Sequence, residues 1–301
     1  MTASPTHQVR TLFKSNLVRV VDYRCSGGRA RQEEWPTAHE IVLPRFGAYL
    51  RRDASGETVA DPSQVLFSNR DQPYEISHPV QGEDRSTVIL LDPAAVLEIA
   101  GRFDPAVVER PHRPFPRAAI PADPRLHLVQ YWLMSLRSPG PNPEPLAVEE
   151  SLLAWIGAIF ARAFTPEPAG PARTLPGTAR QHRELARRVR LILIERFHER
   201  LLLDDLAAAV YTSPYHLIRV FKSQTGLTVH QYRQQLRLYH AAERLAGDRR
   251  ENLDRLALDL GFASHSHLTA AFGKAFNLSP SDFRRSVTGR QLAQMSNFLK
   301  A

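Results

Sequence analysis

The chain repeats itself near its C-terminus. LDDLAAAVYTSPYHLIRVFKSQTGLTVHQYR, beginning at Leu203, aligns with LDRLALDLGFASHSHLTAAFGKAFNLSPSDFR, beginning at Leu253. Leu206, Ala207 and Val210 stand 50 residues before Leu256, Ala257 and Leu260. Beyond that point the offset is 51, pairing Leu217 with Leu268, Phe221 with Phe272, Leu227 with Leu278 and Tyr232 with Phe283. The second copy has therefore gained one residue in its turn. A segment that keeps its apolar frame through two copies is constrained to one supersecondary unit used twice.

Each copy reads as a short helix with small alanines, a turn, and a second helix. In the first copy Ser213-Pro214 supplies an N-cap and a proline at the first helical position. Leu217, Val220 and Phe221 then face inward, leaving Tyr215, Ile218, Arg219 and Lys222 outward or on the flank. In the second copy Leu268, Ala271 and Phe272 face inward, and His265, Ser266, Thr269 and Ala270 form the outward set. This is the arrangement of a helix-turn-helix, in which the first helix braces a second whose exposed side chains can enter a major groove. An ordinary helical bundle would show the same frame once; two copies in a basic segment favour DNA. Between them Thr228-Val229-His230-Gln231 reads as a capping box opening a helix to about Leu245. Its inward positions are Val229, Tyr232, Leu236, Tyr239 and Leu245, and residues 229–245 would span about 26 Å. Major grooves on one face of DNA recur every ~34 Å, so such a rod suits two reading heads on one side of the duplex.

Charge points to the same segment. Of 39 Lys and Arg and 31 Asp and Glu, 21 and 11 lie from Arg173 onward, which makes that segment +10 and residues 1–172 −2. A polyanion is the expected partner of such a segment, although charge alone also suits solubility. No apolar run approaches the roughly 20 residues of a membrane span, and Met1 to Leu12 lacks a signal-peptide core. A cytoplasmic protein without a membrane partner is expected. The single cysteine, Cys25, excludes an intrachain disulfide and multi-cysteine zinc motifs.

The first half reads as strands: LVRVVDYRC, HEIVLPRFGAYLRR, QVLFSNR, PYEISHP and STVILL. Breaks at Ser26-Gly27-Gly28, Ala54-Ser55-Gly56 and Asp61-Pro62-Ser63 give spacings typical of an all-β barrel or sandwich. After Asp92-Pro93 the pattern turns helical, with AAVLEIAGRF, then Leu126, Val129, Leu133 and Leu136, then Leu152, Ile156, Ile159 and Phe160. PGPNPEP suits a connection between those last two helices. The proline-rich TPEPAGPARTLPG, 165–177, reads as a semi-extended linker.

The strings SPYHLIRVFKSQTGLTVHQY and ALDLGFASHSHLTAAFGKAFNLSPSDFRR make the C-terminal segment resemble the DNA-binding domain of the AraC/XylS family of bacterial transcription regulators, over about a hundred residues. The resemblance implies base contacts from Tyr215, Ile218 and Arg219 in the first unit and from His265, Ser266, Thr269 and Ala270 in the second, with Lys222 and Lys274 approaching phosphates. Departures from the family pattern fall in the second unit. Ala270 stands where a basic residue is common, Gly273 where Lys or Arg often follows the Phe, and Asn277 where glycine is usual. The first unit is therefore expected to supply more of the specific affinity.

Strands followed by paired helices also match the family's common architecture. The implied fold is α+β, with an N-terminal cupin-like β-barrel carrying a helical dimerisation element, and a C-terminal all-α domain with two helix-turn-helix units. The expected bounds are 1–164, a linker at 165–177, the DNA-binding domain at 178–290 and a tail at 291–301. The string PRFGAYLRRDASGETVADPSQVLFSNRDQPYEISHP carries the barrel resemblance. The helices containing Leu133 and Ile156 either form the dimer seam or pack on their own barrel. An organic effector is the family's usual ligand, and Arg45, Tyr49, Tyr74 and His78 are its pocket candidates, Arg45 being suited to a carboxylate. No cofactor is implied and no enzyme is expected, because His39-Glu40 lacks the second nearby histidine of a cupin metal cluster. Cys25, His39 and His78 could converge on a zinc or redox site, or be a buried thiol and two unrelated histidines. The expected function is that of a DNA-binding, effector-responsive activator, with a homodimer, double-stranded DNA, RNA polymerase and a small molecule as partners. The alternative is a regulator controlled without an effector, by dimerisation or a protein partner.

Overall fold

The computed structural model describes residues 7–26, 31–54, 56–80, 82–136, 143–165, 176–248 and 250–289. Most of the expected linker and all of the expected tail lie outside these residues, as does most of PGPNPEP. Ten strands are found among the described residues: β1 (His7–Lys14), β2 (Val18–Cys25), β3 (Gln32–Glu34), β4 (His39–Phe46), β5 (Tyr49–Asp53), β6 (Gly56–Ala60), β7 (Gln64–Ser68), β8 (Tyr74–Ser77), β9 (Asp84–Leu91) and β10 (Ala119–Pro121). They form two antiparallel sheets, one in the order β1-β2-β9-β4-β7-β10 and the other in the order β3-β8-β5-β6. Among the described residues neither sheet closes on itself, so the expected closed barrel is corrected to two sheets with a cavity between them.

Side-chain alternation makes the larger sheet two-faced. Val18, Val20, Ile41, Leu43, Ile89 and Leu91 bury one face against helices. Val21, Tyr23, Cys25, Glu40, Val42, Asp84, Ser86 and Val88 point the other way and line the cavity. The run HEIVLPRFGAYLRR is two strands rather than one, broken at Gly47, where φ is +71° and a Cβ would stand 2.4 Å from the Glu83 carbonyl oxygen. No other residue fits that corner, and there the chain passes from one sheet to the other. The sequence reading also missed β1, an exposed edge strand, the polar β3, and β6, which begins at the Gly56 turn signal.

The described residues also form a 3-10 helix (Pro105–Glu109) and ten α-helices: α1 (Pro93–Gly101), α2 (Pro124–Ser135), α3 (Pro145–Phe164), α4 (Pro176–Arg196), α5 (Leu203–Ala209), α6 (Pro214–Thr225), α7 (Val229–Gly247), α8 (Leu253–Asp259), α9 (His265–Phe276) and α10 (Pro280–Gly289). None is long and apolar enough to cross a membrane. Leu133 on α2 and Ile156 on α3 have no exposure within this single chain. Both side chains therefore pack within their own chain.

The repeat folds as two matching helix pairs, α5–α6 and α8–α9. The residue that turns each pair is left-handed, Tyr211 at φ +57° and Gly261 at φ +77°. Gly261 is the more constrained. A Cβ there would meet the His198 carbonyl oxygen at 2.2 Å and the Arg237 guanidinium at 2.6 Å, and that guanidinium also donates to the Gly261 and Phe197 carbonyls at 2.6 and 2.7 Å. The linking helix α7 opens on the expected capping box, with the Gln231 N–H donating to Thr228 Oγ1 at 3.1 Å and the Thr228 N–H to Gln231 Oε1 at 2.9 Å.

This linking helix also docks on the N-terminal sheets through two polar clusters. In one, Asp61 Oδ2 accepts from Arg190 Nη2 at 2.5 Å and from the Tyr232 hydroxyl at 2.6 Å, while Oδ1 accepts the Ser63 N–H at 2.7 Å. In the other, Arg45 pairs with Asp22, donates to Thr87 Oγ1 at 2.6 Å and lies 3.4 Å from Glu243, which Arg85 also reaches at 3.3 Å. Aromatic rings fill the space around them. His240 stacks on Phe197 with centroids 4.1 Å apart and meets Phe46 edge-on, and His127 of α2 lies 4.5 Å from Tyr239. The hydrophobic cores accordingly cross from one half of the chain to the other.

Two measurements test this packing. Gly261→Ala should cost about 2–4 kcal/mol in chemical denaturation, from a left-handed alanine and a clash with backbone. Gly273→Ala, helical and with nothing within 4 Å of the added carbon, should be neutral or stabilising by about 0.5–1 kcal/mol. The second concerns acid. Burial first, then Arg45, pushes His127 down to about 3, and burial, His198 and Arg244 do the same to His240. Below about pH 6.5 the unfolded chain binds protons that these two buried rings refuse. Stability is therefore full above that pH and falls toward pH 3, by up to about 1.4 kcal/mol per pH unit per ring. Glu40 has the opposite sign, since burial raises it to about 7 and stability is lost as pH rises from 4.5. Denaturant midpoints below pH 4.5 should therefore drop steeply, and His127→Phe with His240→Phe should flatten that limb.

Candidate nucleic-acid interface and effector cavity

The reading helices start where side chains cap them. Ser213 Oγ accepts the His216 N–H at 3.3 Å with Pro214 next in line, and Ser264 Oγ accepts the His267 N–H at 3.1 Å. These two caps are 51 residues apart, so the extra residue lies between Gly261 and Ser264, within the second turn. Asn277 ends α9 in the left-handed conformation at φ +56°, as Gly226 ends α6 at φ +74°.

Tyr215, Ile218, Arg219 and Lys222 are all exposed on α6, Tyr215 at 80%. Among the described residues the Arg219 guanidinium is held by a 3.4 Å contact to His216 Nδ1, which leaves most of its donors for a ligand. Arg188 lies over the Tyr211 ring at 5.8 Å and extends the basic surface beside this helix. On α9, Ser266, Ala270 and Lys274 are exposed and His265 is half-buried, 3.8 Å from Asp254. Thr269 departs from the expected outward set. It is half-buried, and its hydroxyl is shut off from solvent with no hydrogen-bond partner among the described residues. The first unit thus presents an exposed guanidinium and phenol where the second presents a serine hydroxyl and a methyl group.

The cavity between the sheets holds about 240 Å³. Tyr49, Tyr74 and His78 line it, together with Tyr23, Cys25, Glu40 and Asp84. Arg45 does not. It lies on the opposite face of β4, wholly buried and paired with Asp22 and Glu243, so its place as a pocket residue is corrected to one in the docking interface. Register is the cause, because Glu40 and Val42 face the cavity and the residues alternating with them do not. Burial pushes Tyr74 up to about 12, pushes Tyr23 and Tyr49 higher still, and raises Glu40 to about 7. The phenols are therefore neutral donors, and Glu40 changes charge near neutral pH. Tyr23, Glu40 and Asp84 were missed in the sequence, where the alternation Val21, Tyr23, Cys25 was the available signal.

The candidate ligand set Cys25, His39 and His78 is divided. Cys25 and His78 share the cavity, and Asp84 stands with them. His39 is on the opposite face of β4, where Nδ1 accepts the Arg70 N–H at 3.2 Å and the ring meets Phe115 edge-on.

Comparison with known proteins places the C-terminal geometry. A family described as a helix-turn-helix domain matches residues 206–286. The probable transcription factor PqrA of Proteus vulgaris is 36% identical over 91 residues, 30% of this chain and 74% of PqrA. The bifunctional transcriptional activator/DNA repair enzyme AdaA of Bacillus subtilis (strain 168) is 34% identical over 89 residues, 30% of this chain and 42% of AdaA. The chain thus spans less than half the length of AdaA. ToxT from Vibrio cholerae aligns over 91% of this chain and 100% of its own at 12% identity, with a TM-score of 0.36, too loose to carry any property across. On the tandem units and the extent of the match to PqrA, the chain belongs to the AraC/XylS family of transcription regulators.

Proposed function

We propose that this protein is a sequence-specific DNA-binding transcription regulator whose DNA-binding half answers to a small molecule in the N-terminal cavity. One observation carries the reading: β2, β4 and β9 line the cavity with one face and clamp α7 with the other. On β9, Asp84 faces the cavity and the adjacent Arg85 pairs with Glu243 of α7. A ligand that shifts these strands changes how α7 docks, and α7 holds the two reading helices relative to each other. The work is differential binding, since only a ligand that prefers one docking arrangement can bias it.

In this reading α6 supplies the stronger base contacts through Tyr215, Ile218 and Arg219. On α9, His265, Ser266 and Ala270 supply the rest, and Lys222 and Lys274 approach phosphates. The N-terminal half is a cupin-like effector domain at 1–164, joined through 165–177 to the DNA-binding domain at 178–290. A homodimer is part of the reading, through a face other than Leu133 and Ile156, and an activator would also meet RNA polymerase. The protein works in the cytoplasm as a regulator and not as an enzyme. The regulator without an effector remains the second reading, because the docking clusters would serve a protein partner or dimerisation equally.

Selection of bound sequences from a random DNA pool by the full-length protein tests the DNA-binding reading, with recovery of two half-sites at fixed spacing as the expected result. Arg219→Ala should lose about 1–3 kcal/mol at one preferred base pair, more than Ser266→Ala loses at its own. Dominance of the second unit in footprints would reverse that ranking. A metabolite panel read by thermal shift separates the two control schemes, because an effector that binds the native state raises the melting temperature.

A further inference from the structure

The cavity contains a donor set that the DNA-binding reading does not use. Cys25 and Asp84 are directly paired across the ladder between β2 and β9, on the cavity face. His78, just beyond β8 in the other sheet, reaches across so that Nε2 is 2.8 Å from Asp84 Oδ2. The three ligand atoms lie within 4.8 Å of one another. All three side chains are screened from solvent, Cys25 at 2% exposure and the His78 and Asp84 side chains at 7% and 4%.

We propose that Cys25, His78 and Asp84 form a site for a zinc-class divalent cation, with a fourth coordination position open to the cavity. Thiolate, imidazole and carboxylate are the donors that zinc takes, and three protein ligands with an open position form a recurrent arrangement for it. Donor atoms in a tetrahedral shell at zinc bond lengths lie about 3.5 Å apart, so side-chain movements of about an ångström close this set on an ion. The charges also balance. One thiolate and one carboxylate neutralise a dication, and the neutral imidazole adds none, which suits a site with little access to water. Binding releases the thiol proton and exchanges the bond between His78 and Asp84 for two bonds to the metal.

The scaffold holds the set in place. The cross-strand pairing fixes Cys25 beside Asp84, and a Cβ at Gly47 would lie 3.0 Å from the Asp84 Cα, so the corner glycine packs directly on the ligand's backbone. Tyr49, whose ring centroid is 6.1 Å from that of His78, and the half-buried Glu40 face the same space and stand near whatever fills the open position. That position suits a small anion or a hydroxyl-, thiol- or carboxylate-bearing molecule that coordinates the metal. The metal site stands on its own geometry and holds whether or not the protein binds DNA.

Cobalt(II) is the probe. Full-length, metal-stripped, reduced protein titrated with cobalt(II) should bind a single ion per chain. It should develop a thiolate-to-cobalt charge-transfer band and visible bands of four-coordinate intensity, all discharged by equimolar zinc(II). Cys25→Ser should abolish the charge-transfer band. Asp84→Asn, which can keep a hydrogen bond to His78, should retain the band but weaken affinity at least ten-fold, as should His78→Ala. Circular dichroism of the metal-stripped variants shows that loss of binding is not loss of fold, and Asp84→Asn carries the test where Cys25→Ser fails to fold. Absence of a thiolate band in the parent protein, affinity unchanged in Asp84→Asn, or stoichiometric zinc binding that survives Cys25→Ser in the folded variant would each overturn the assignment.

Discussion

Arg45 is a guanidinium with no access to water, and its charge has to be answered inside the protein. Desolvating such a group costs several kcal/mol, which only close, well-directed partners offset. Asp22 of β2 and Thr87 of β9 supply two of those partners by hydrogen bonds, and Glu243 of α7 is a third partner by charge alone, an ion pair at 3.4 Å without a hydrogen bond. That third partner ties the halves of the chain together. Removing it leaves a buried cation beside two strands that also wall the cavity, so the seating of α7 and the shape of the cavity are parts of one arrangement.

Asp61 does the same at the other end of α7, where one carboxylate collects Arg190, Tyr232 and the Ser63 amide. Two buried charge clusters thus bracket the helix, with aromatic rings and two neutral histidines between them. Such an interface is specific because its buried charges are answered only by particular partners, Asp61 by Arg190 and Tyr232 and Glu243 by Arg45 and Arg85. It is also sensitive to charge, since a proton added to either histidine has nowhere favourable to go.

The parts of this structure that were legible in the sequence are those fixed by neighbours. Ser213-Pro214, the Thr228 capping box and Asn277 act within four residues of their own helix ends, so spacing alone reveals them. The change of offset from 50 to 51 located the longer turn for the same reason. The partition of strands between two sheets was not legible, because it depends on a corner at Gly47 and on register, and a one-residue error in register exchanges the faces. Arg45 was therefore assigned to the cavity when it lies behind its wall. Asp22, Asp61 and Glu243 were invisible as interface residues, since charged side chains are ordinarily at the surface and only distant partners bury them. Asp84 meets Cys25 through a strand pairing between residues 59 apart, which no local pattern encodes.

The double duty of α7 bears on inheritance. A helix that only spaced two reading heads could pass between regulators together with its DNA-binding half, and new control circuits could be assembled by exchanging halves. Here the same helix carries Tyr232, His240 and Glu243, whose partners are Asp61, Phe46, Arg45 and Arg85 on the other half. Each half therefore holds part of the other's identity, and a recombinant that changes one without the matching residues inherits unpaired buried charge. The tandem repeat is free to vary on its exposed faces, whereas the rod between its copies must vary in step with a sheet more than a hundred residues upstream.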